Sequence, residues 1–214
     1  MEPRLLVTAF EPFGLPGRSM RAENASESVL RAIRERPGFR HEALVLPVDA
    51  RCEVHLARAL NRDPAGIVAL GESGAAGRWD TNVEFLARDL PPRAYRSEGI
   101  APEVPRTAAV LPSSFAMDVP LLPGMEREDR IGSYWCNRAY WRVLQWCRLF
   151  SRPAIFLHFR VEGDRRNQLF HLEHVRAEME ARLAGGAAKP EPPAPEPRKA
   201  GSPREAGTVP LGVE

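Results

Sequence analysis

The chain has 214 residues, of which 43% are hydrophobic and 27% charged, and its net charge is +2. That is an ordinary mixture for one globular domain with a sizeable core. The balanced charge gives no footprint for nucleic acid, and no apolar run is long enough to span a membrane.

The N-terminal "MEPRLLVTAFEPFG" lacks a long apolar signal region, so a cytoplasmic location is expected. Within it, "RLLVTAF" (4–10) is short, apolar and bounded by "EPFG", which predicts a buried strand. "NASESVLRAIRER" opens with Asn24 and has Glu27 three residues on, the pattern of a capping box before a helix. "HEALVLPV" (41–48) predicts a strand, and "RCEVHLARALNR" (51–62) a helix that packs through Val54, Leu56 and Leu60. "AGIVALG" (65–71) predicts a strand ending in glycine. Residues 78–114 are proline-rich, with short strands expected near 80–86 and 106–111. A helix over 133–149, a strand over 153–159 and a final helix over 166–184 complete the pattern. Strands alternating with helices predict an α/β fold, a three-layer α/β/α sandwich whose twisted, mostly parallel sheet is flanked by helices. This domain is expected to cover residues 1–184. From Gly185 onward the chain carries seven prolines and almost no large apolar residues, which predicts a disordered tail over 185–214.

In parallel sheets, ligands collect at the carboxyl ends of the strands. Those ends carry Phe10–Gly14, Gly71–Gly77 and His158. The three cysteines, Cys52, Cys136 and Cys147, are odd in number and form no CxxC pair, which argues against a disulfide framework and a zinc site. Cys136 falls in the first turn of a predicted helix, with Ser133 as the expected cap. The positive end of the helix dipole favours a thiolate there. Cys147 is expected to be a small core residue, and Cys52 has no evident partner. A thiolate needs a base. His158, at the end of "AIFLHF", is a candidate, although a core histidine held by one hydrogen bond reads equally well. His171 and His174 are expected to face solvent. The residues alone select no orienting carboxylate.

Four blocks supply one. "VTAFEPFG", "ALGESGAAGRWDTNVE", "IGSYWCN" and "AIFLHF" occur in that order between residues 6 and 159. They resemble the blocks of pyroglutamyl peptidase I, the cysteine peptidase family that removes N-terminal 5-oxoproline. The resemblance implies Cys136 as nucleophile, His158 as base and Glu84 as orienting acid. It implies that Phe10 and Phe13 wall the flat lactam ring and that Arg93 lies close to the oxyanion. It also implies small peptide substrates, no cofactor, and a fold that in the family can form a homo-oligomer.

The sequence departs from the family at several places. Glu72 stands where the family has a glutamine, placing a carboxylate in the substrate-binding pocket. Ala9 replaces a glycine, and "GESGAAGR" is longer than its counterpart. The family carries a helix and a strand between Pro112 and Gly132. Here that interval is shorter, and Pro120 and Pro123 disfavour a helix.

Overall fold

The computed structural model describes residues 3–13, 22–74, 79–90, 108–129 and 134–185. β1 (Leu5–Phe10) is followed by α1 (Ala25–Arg34), β2 (Glu42–Leu46), α2 (Arg51–Leu60) and β3 (Gly66–Ser73). Next come β4 (Thr81–Glu84), β5 (Leu86–Arg88), β6 (Val110–Pro112), α3 (Ser114–Asp118) and β7 (Met125–Glu128). The series closes with α4 (Trp135–Phe150), β8 (Ala154–Arg160) and α5 (Arg165–Ala184). Six strands form one sheet in the order β2-β1-β3-β8-β4-β7. β1, β2, β3 and β8 are parallel, β4 is antiparallel to β8, and β7 is parallel to β4. The sheet is mostly parallel and flanked by helices, as the alternating pattern predicts. β5 and β6 form a separate antiparallel pair.

Side chains alternate between the faces of a strand, and this sorts the two cores. Leu5, Val7, Val68, Leu70, Ile155 and Leu157 pack with Val29 and Leu30 of α1 and with Leu172 and Val175 of α5. Leu6, Phe10, Ile67, Ala69 and Phe156 pack on the opposite face with Leu56 of α2 and with Tyr140 and Leu144 of α4. The central strands are buried on both faces, so they read as continuous apolar runs. The same alternation fixes the site. Gly71 follows Ile67 and Ala69, and His158 follows Ala154 and Phe156, so both belong to the α2/α4 face. Glu84 lies one residue after Val83 of the other core and so also belongs there. Glu72 follows Val68 and Leu70 and belongs to the α1/α5 face.

Several local expectations change. Asn24 is the N-cap of α1, its side chain accepting from the Ser26 N–H at 2.9 Å. Glu27 does not close a capping box; it turns to Arg31 one helical turn on, at 3.2 Å. Val54 of α2 is exposed, and Cys52 is buried among the residues that pack with Leu56 and Leu60. His171 is buried, bonded to Thr81 Oγ1 at 2.9 Å and to the Pro123 carbonyl at 3.0 Å, while His174 is half-buried and lies 2.9 Å from the Pro120 carbonyl. Between Pro112 and Gly132 the chain does form a helix and a strand. The five-residue α3, capped by Ser113, ends before Pro120, and β7 follows Pro123. Residues 186–214, most of the expected tail, lie outside the described residues.

Candidate active site

α4 starts at Trp135 with Tyr134 at its N-cap and no side-chain cap bond. Ser133, expected as the cap, lies outside the described residues. Cys136 sits in the first turn and is half-buried. On the sheet below, β8 is flanked by β3 and β4, so His158 stands on an interior strand with Gly71 in register on one side and Asn82 on the other. A Cβ on Gly71 would lie 2.7 Å from Phe156 Cζ and 2.8 Å from His158 Cδ2. The absence of a side chain on β3 thus makes room for the imidazole.

His158 Nδ1 is 2.6 Å from Glu84 Oε1, with both side chains almost fully buried. An ionised carboxylate only accepts, so Nδ1 carries the proton of this bond. The other carboxylate oxygen, Oε2, is buried with no hydrogen-bond partner among the described residues. His158 Nε2 is buried with no hydrogen-bond partner among the described residues, and Cys136 is near enough to bear on the charge of the ring. Burial lowers the pKa of His158. The contact with Cys136, the bond to Glu84 and the charges of both groups outweigh it and raise the pKa to about 10. The net effect favours the protonated ring. Cys52 lies in the core beside Cys136. Burial, helped by the charges of Glu53, Cys136 and Asp49, pushes its thiol up to about 12. Cys147 is fully buried in the same core, as expected of a packing residue.

A cavity of about 190 Å³ opens beside Cys136 at the carboxyl ends of the strands, with Phe10, Phe13, Glu72, Tyr134 and Trp135 in its lining. It is smaller than the ~300–1,000 Å³ pockets that hold drug-sized ligands, and its aromatic walls suit a flat ring. Glu72 reaches this lining from the α1/α5 face. Its Oε2 accepts from the backbone N–H of Ala25 at 2.7 Å, at the first residue of α1. The free N–H groups and dipole of that helix terminus offset the negative charge.

The structure thus brings together Cys136, His158 and Glu84, and places Phe10, Phe13 and Glu72 with Cys136 around one cavity. Arg93 falls in residues 91–107, outside the described residues. Among the described residues, no group of three His, Cys, Asp or Glu side chains could hold a metal ion.

Solved structures with this architecture are pyrrolidone carboxyl peptidases. The Thermococcus litoralis protein superposes with a TM-score of 0.66 at 17% identity, covering 86% of this chain and 96% of its own. A mutant of the Pyrococcus furiosus protein gives 0.62 at 19% identity, covering 84% and 99%. The Thermus thermophilus protein gives 0.53 at 25% identity, covering 84% and 97%. The fold is that of the pyrrolidone carboxyl peptidases. No protein-family model matches the sequence. No curated protein matches it either.

Within this pyrrolidone carboxyl peptidase fold, sequence reasoning missed Tyr134 and Trp135 as cavity walls, although they adjoin Cys136 in the chain. It also missed the role of Gly71. The signal was the two-residue alternation along β3, which sets Gly71 on the face of His158 and Glu72 on the other.

Proposed function

We propose that this protein is a thiol hydrolase that removes N-terminal 5-oxoproline from small peptides. The observation that carries the reading is Cys136 in the lining of an aromatic-walled cavity, with His158, bonded to Glu84, close to it. With Glu84 behind it, His158 can take the proton of the Cys136 thiol and leave the thiolate, the nucleophilic form.

In the proposed reaction, the flat lactam ring enters between Phe10 and Phe13, and the amide carbonyl that follows it approaches Cys136. Sγ attacks that carbon, and the carbonyl electron pair moves onto oxygen. The N–H of Cys136 lies in the first helical turn, where N–H groups have no acceptor within the helix, and it stabilises the oxyanion. His158 gives its proton to the leaving amine as the C–N bond breaks, leaving a thioester on Cys136. His158 then takes a proton from water, whose oxygen attacks the thioester. Free 5-oxoproline leaves, and the thiolate–imidazolium pair is restored. Glu84 fixes the ring through Nδ1 and stabilises its positive charge. Glu72 is compatible with a neutral ligand, because its charge is balanced by the start of α1.

The test is a panel of fluorogenic amides. The 5-oxoprolyl amide is expected to be hydrolysed at least ~100-fold faster than the prolyl, glutamyl or alanyl amide, because a site that hydrogen-bonds the lactam rejects analogues lacking it. No turnover of the 5-oxoprolyl amide, or no preference for it, would overturn the reading.

A further inference from the structure

Two elements of the site are joined by the sheet, and the third is not. His158 on β8 and Glu84 on β4 lie on strands paired directly, with Glu84 opposite Phe156. Cys136 comes from α4, which no strand pairing joins to the sheet, and His158 Nε2 has no hydrogen-bond partner among the described residues to tie the two together. Something else must register the helix against the sheet.

The residue after Cys136 does this. Asn137 is buried, 1% exposed, and meets β5 at Arg88, the residue that pairs with Val110 of β6. Its Oδ1 accepts from the Arg88 N–H at 2.9 Å, and its Nδ2 donates to the Arg88 carbonyl at 2.9 Å. The side-chain amide thereby meets β5 as a neighbouring strand would. One turn further on, Tyr140 Oη donates to the carbonyl of Glu84 itself at 3.1 Å, and Tyr140 is fully buried. The two side chains are three apart, so they lie on one face of α4. Both grip the stretch of chain from Glu84 to Arg88.

We propose that Asn137 and Tyr140 are positioning residues that clamp the nucleophile-bearing helix to the strand segment of Glu84 and so set the Cys136–His158 distance. This rests on the hydrolase reading above. The clamp touches neither substrate nor the reacting atoms and acts only through Cys136. Few other ionisable groups compete for that role. His158 faces Cys136 from β8 with Glu84 behind it, and Cys52 lies beside it from α2 with its thiol protonated. Arg138 is held by Glu53 and Asp89.

The test is alkylation of Cys136 by iodoacetamide from about pH 5 to about pH 9, mapped by mass spectrometry, in the wild type, Asn137→Asp and Tyr140→Phe. Wild-type Cys136 is expected to react below neutral pH. Asn137→Asp removes the donor to Arg88 and sets an acceptor against its carbonyl. Tyr140→Phe removes one oxygen with almost no change in shape. Below neutral pH, Asn137→Asp is expected to slow the reaction about tenfold or more and Tyr140→Phe about fivefold. In both variants the dependence of the reaction on pH should approach that of an ordinary thiol. In turnover, kcat should fall with KM nearly unchanged, since the clamp does not touch substrate. Wild-type profiles in both variants would overturn the clamp and leave the hydrolase reading standing. If Asn137→Asp fails to fold, Tyr140→Phe decides alone. An ordinary thiol profile in the wild type would overturn both the hydrolase reading and the clamp.

Discussion

Gly71→Ala adds one methyl group at the tightest point of the site. The new Cβ would lie 2.7 Å from Phe156 Cζ, 2.8 Å from Phe156 Cε1 and 2.8 Å from His158 Cδ2. Carbon atoms in contact sit at about 3.5–4.0 Å, so the rings must retreat by roughly 1 Å. The backbone has little room to give, because β8 is hydrogen-bonded on both sides, to β3 and β4. The two rings also pack edge to face at 4.8 Å, so they move together. The displacement falls on the 2.6 Å bond from His158 to Glu84 and on the approach of Nε2 to Cys136. Misplacing a reacting group by about 1 Å lowers the rate by about 100-fold. Overpacking of this kind destabilises by roughly 1–3 kcal/mol. For a chain of this size that lowers Tm by about 2–4 °C for each kcal/mol. The assay is kcat and KM for the 5-oxoprolyl amide, measured well below Tm, beside a melting curve. A kcat within about twofold of wild type would refute the reasoning, since a ~1 Å shift of His158 could not leave the chemistry intact.

Three further outcomes are expected. Glu72→Gln keeps an acceptor oxygen for Ala25 but loses the charge at the start of α1, so stability should fall by about 0.3–1 kcal/mol. In kinetics the same change should lower KM for 5-oxoprolyl amides with kcat little altered, and an unchanged KM would take Glu72 out of substrate binding. Burial lowers the pKa of His171 from 6.5, outweighing the Pro123 bond and the Asp80 charge that raise it. As pH falls below 6.5 the unfolded chain therefore takes up a proton that the folded one does not, and stability declines in that window. His171→Gln should flatten the fall in Tm between about pH 7 and about pH 5, and an unchanged slope would assign the acid sensitivity elsewhere. Ending the chain after Gly186 should leave Tm and turnover unchanged, because α5 closes at Gly185 and the residues beyond it have no core-forming pattern. A drop of several degrees would show that this segment packs on the domain.

The architecture was legible where burial is two-sided. β1, β3 and β8 are apolar runs of strand length, and α1 shows its buried stripe in Val29, Leu30 and Ile33. β7 was illegible because its sequence, "MERE", lies at the sheet edge and carries three charged residues, a common protection of exposed strand edges. α3 was hidden because the two prolines after it discourage a helix, and only six residues fit between its cap and Pro120. The chemistry of Cys136 was half legible. Its helix start could be read from sequence, but Glu84 could not be chosen among the carboxylates without the family resemblance. Strand pairing supplies the reason for Glu84: it stands on the strand next to His158 and on the same face. His171 was misread because a helix with histidines three apart does not reveal which of them meets Thr81 across the fold. Glu27 was misread because the capping-box spacing does not reveal that its carboxylate turns instead to Arg31, one helical turn on.

The central claim is that Cys136 is the nucleophile of a 5-oxoprolyl hydrolase. Its most direct measurement is hydrolysis of a 5-oxoprolyl amide by the wild type, Cys136→Ser and Cys147→Ser at equal folded concentration. Turnover is expected in the wild type and in Cys147→Ser, and in Cys136→Ser a loss of at least ~10³-fold. Turnover retained by Cys136→Ser, or absent from the wild type, would contradict the account.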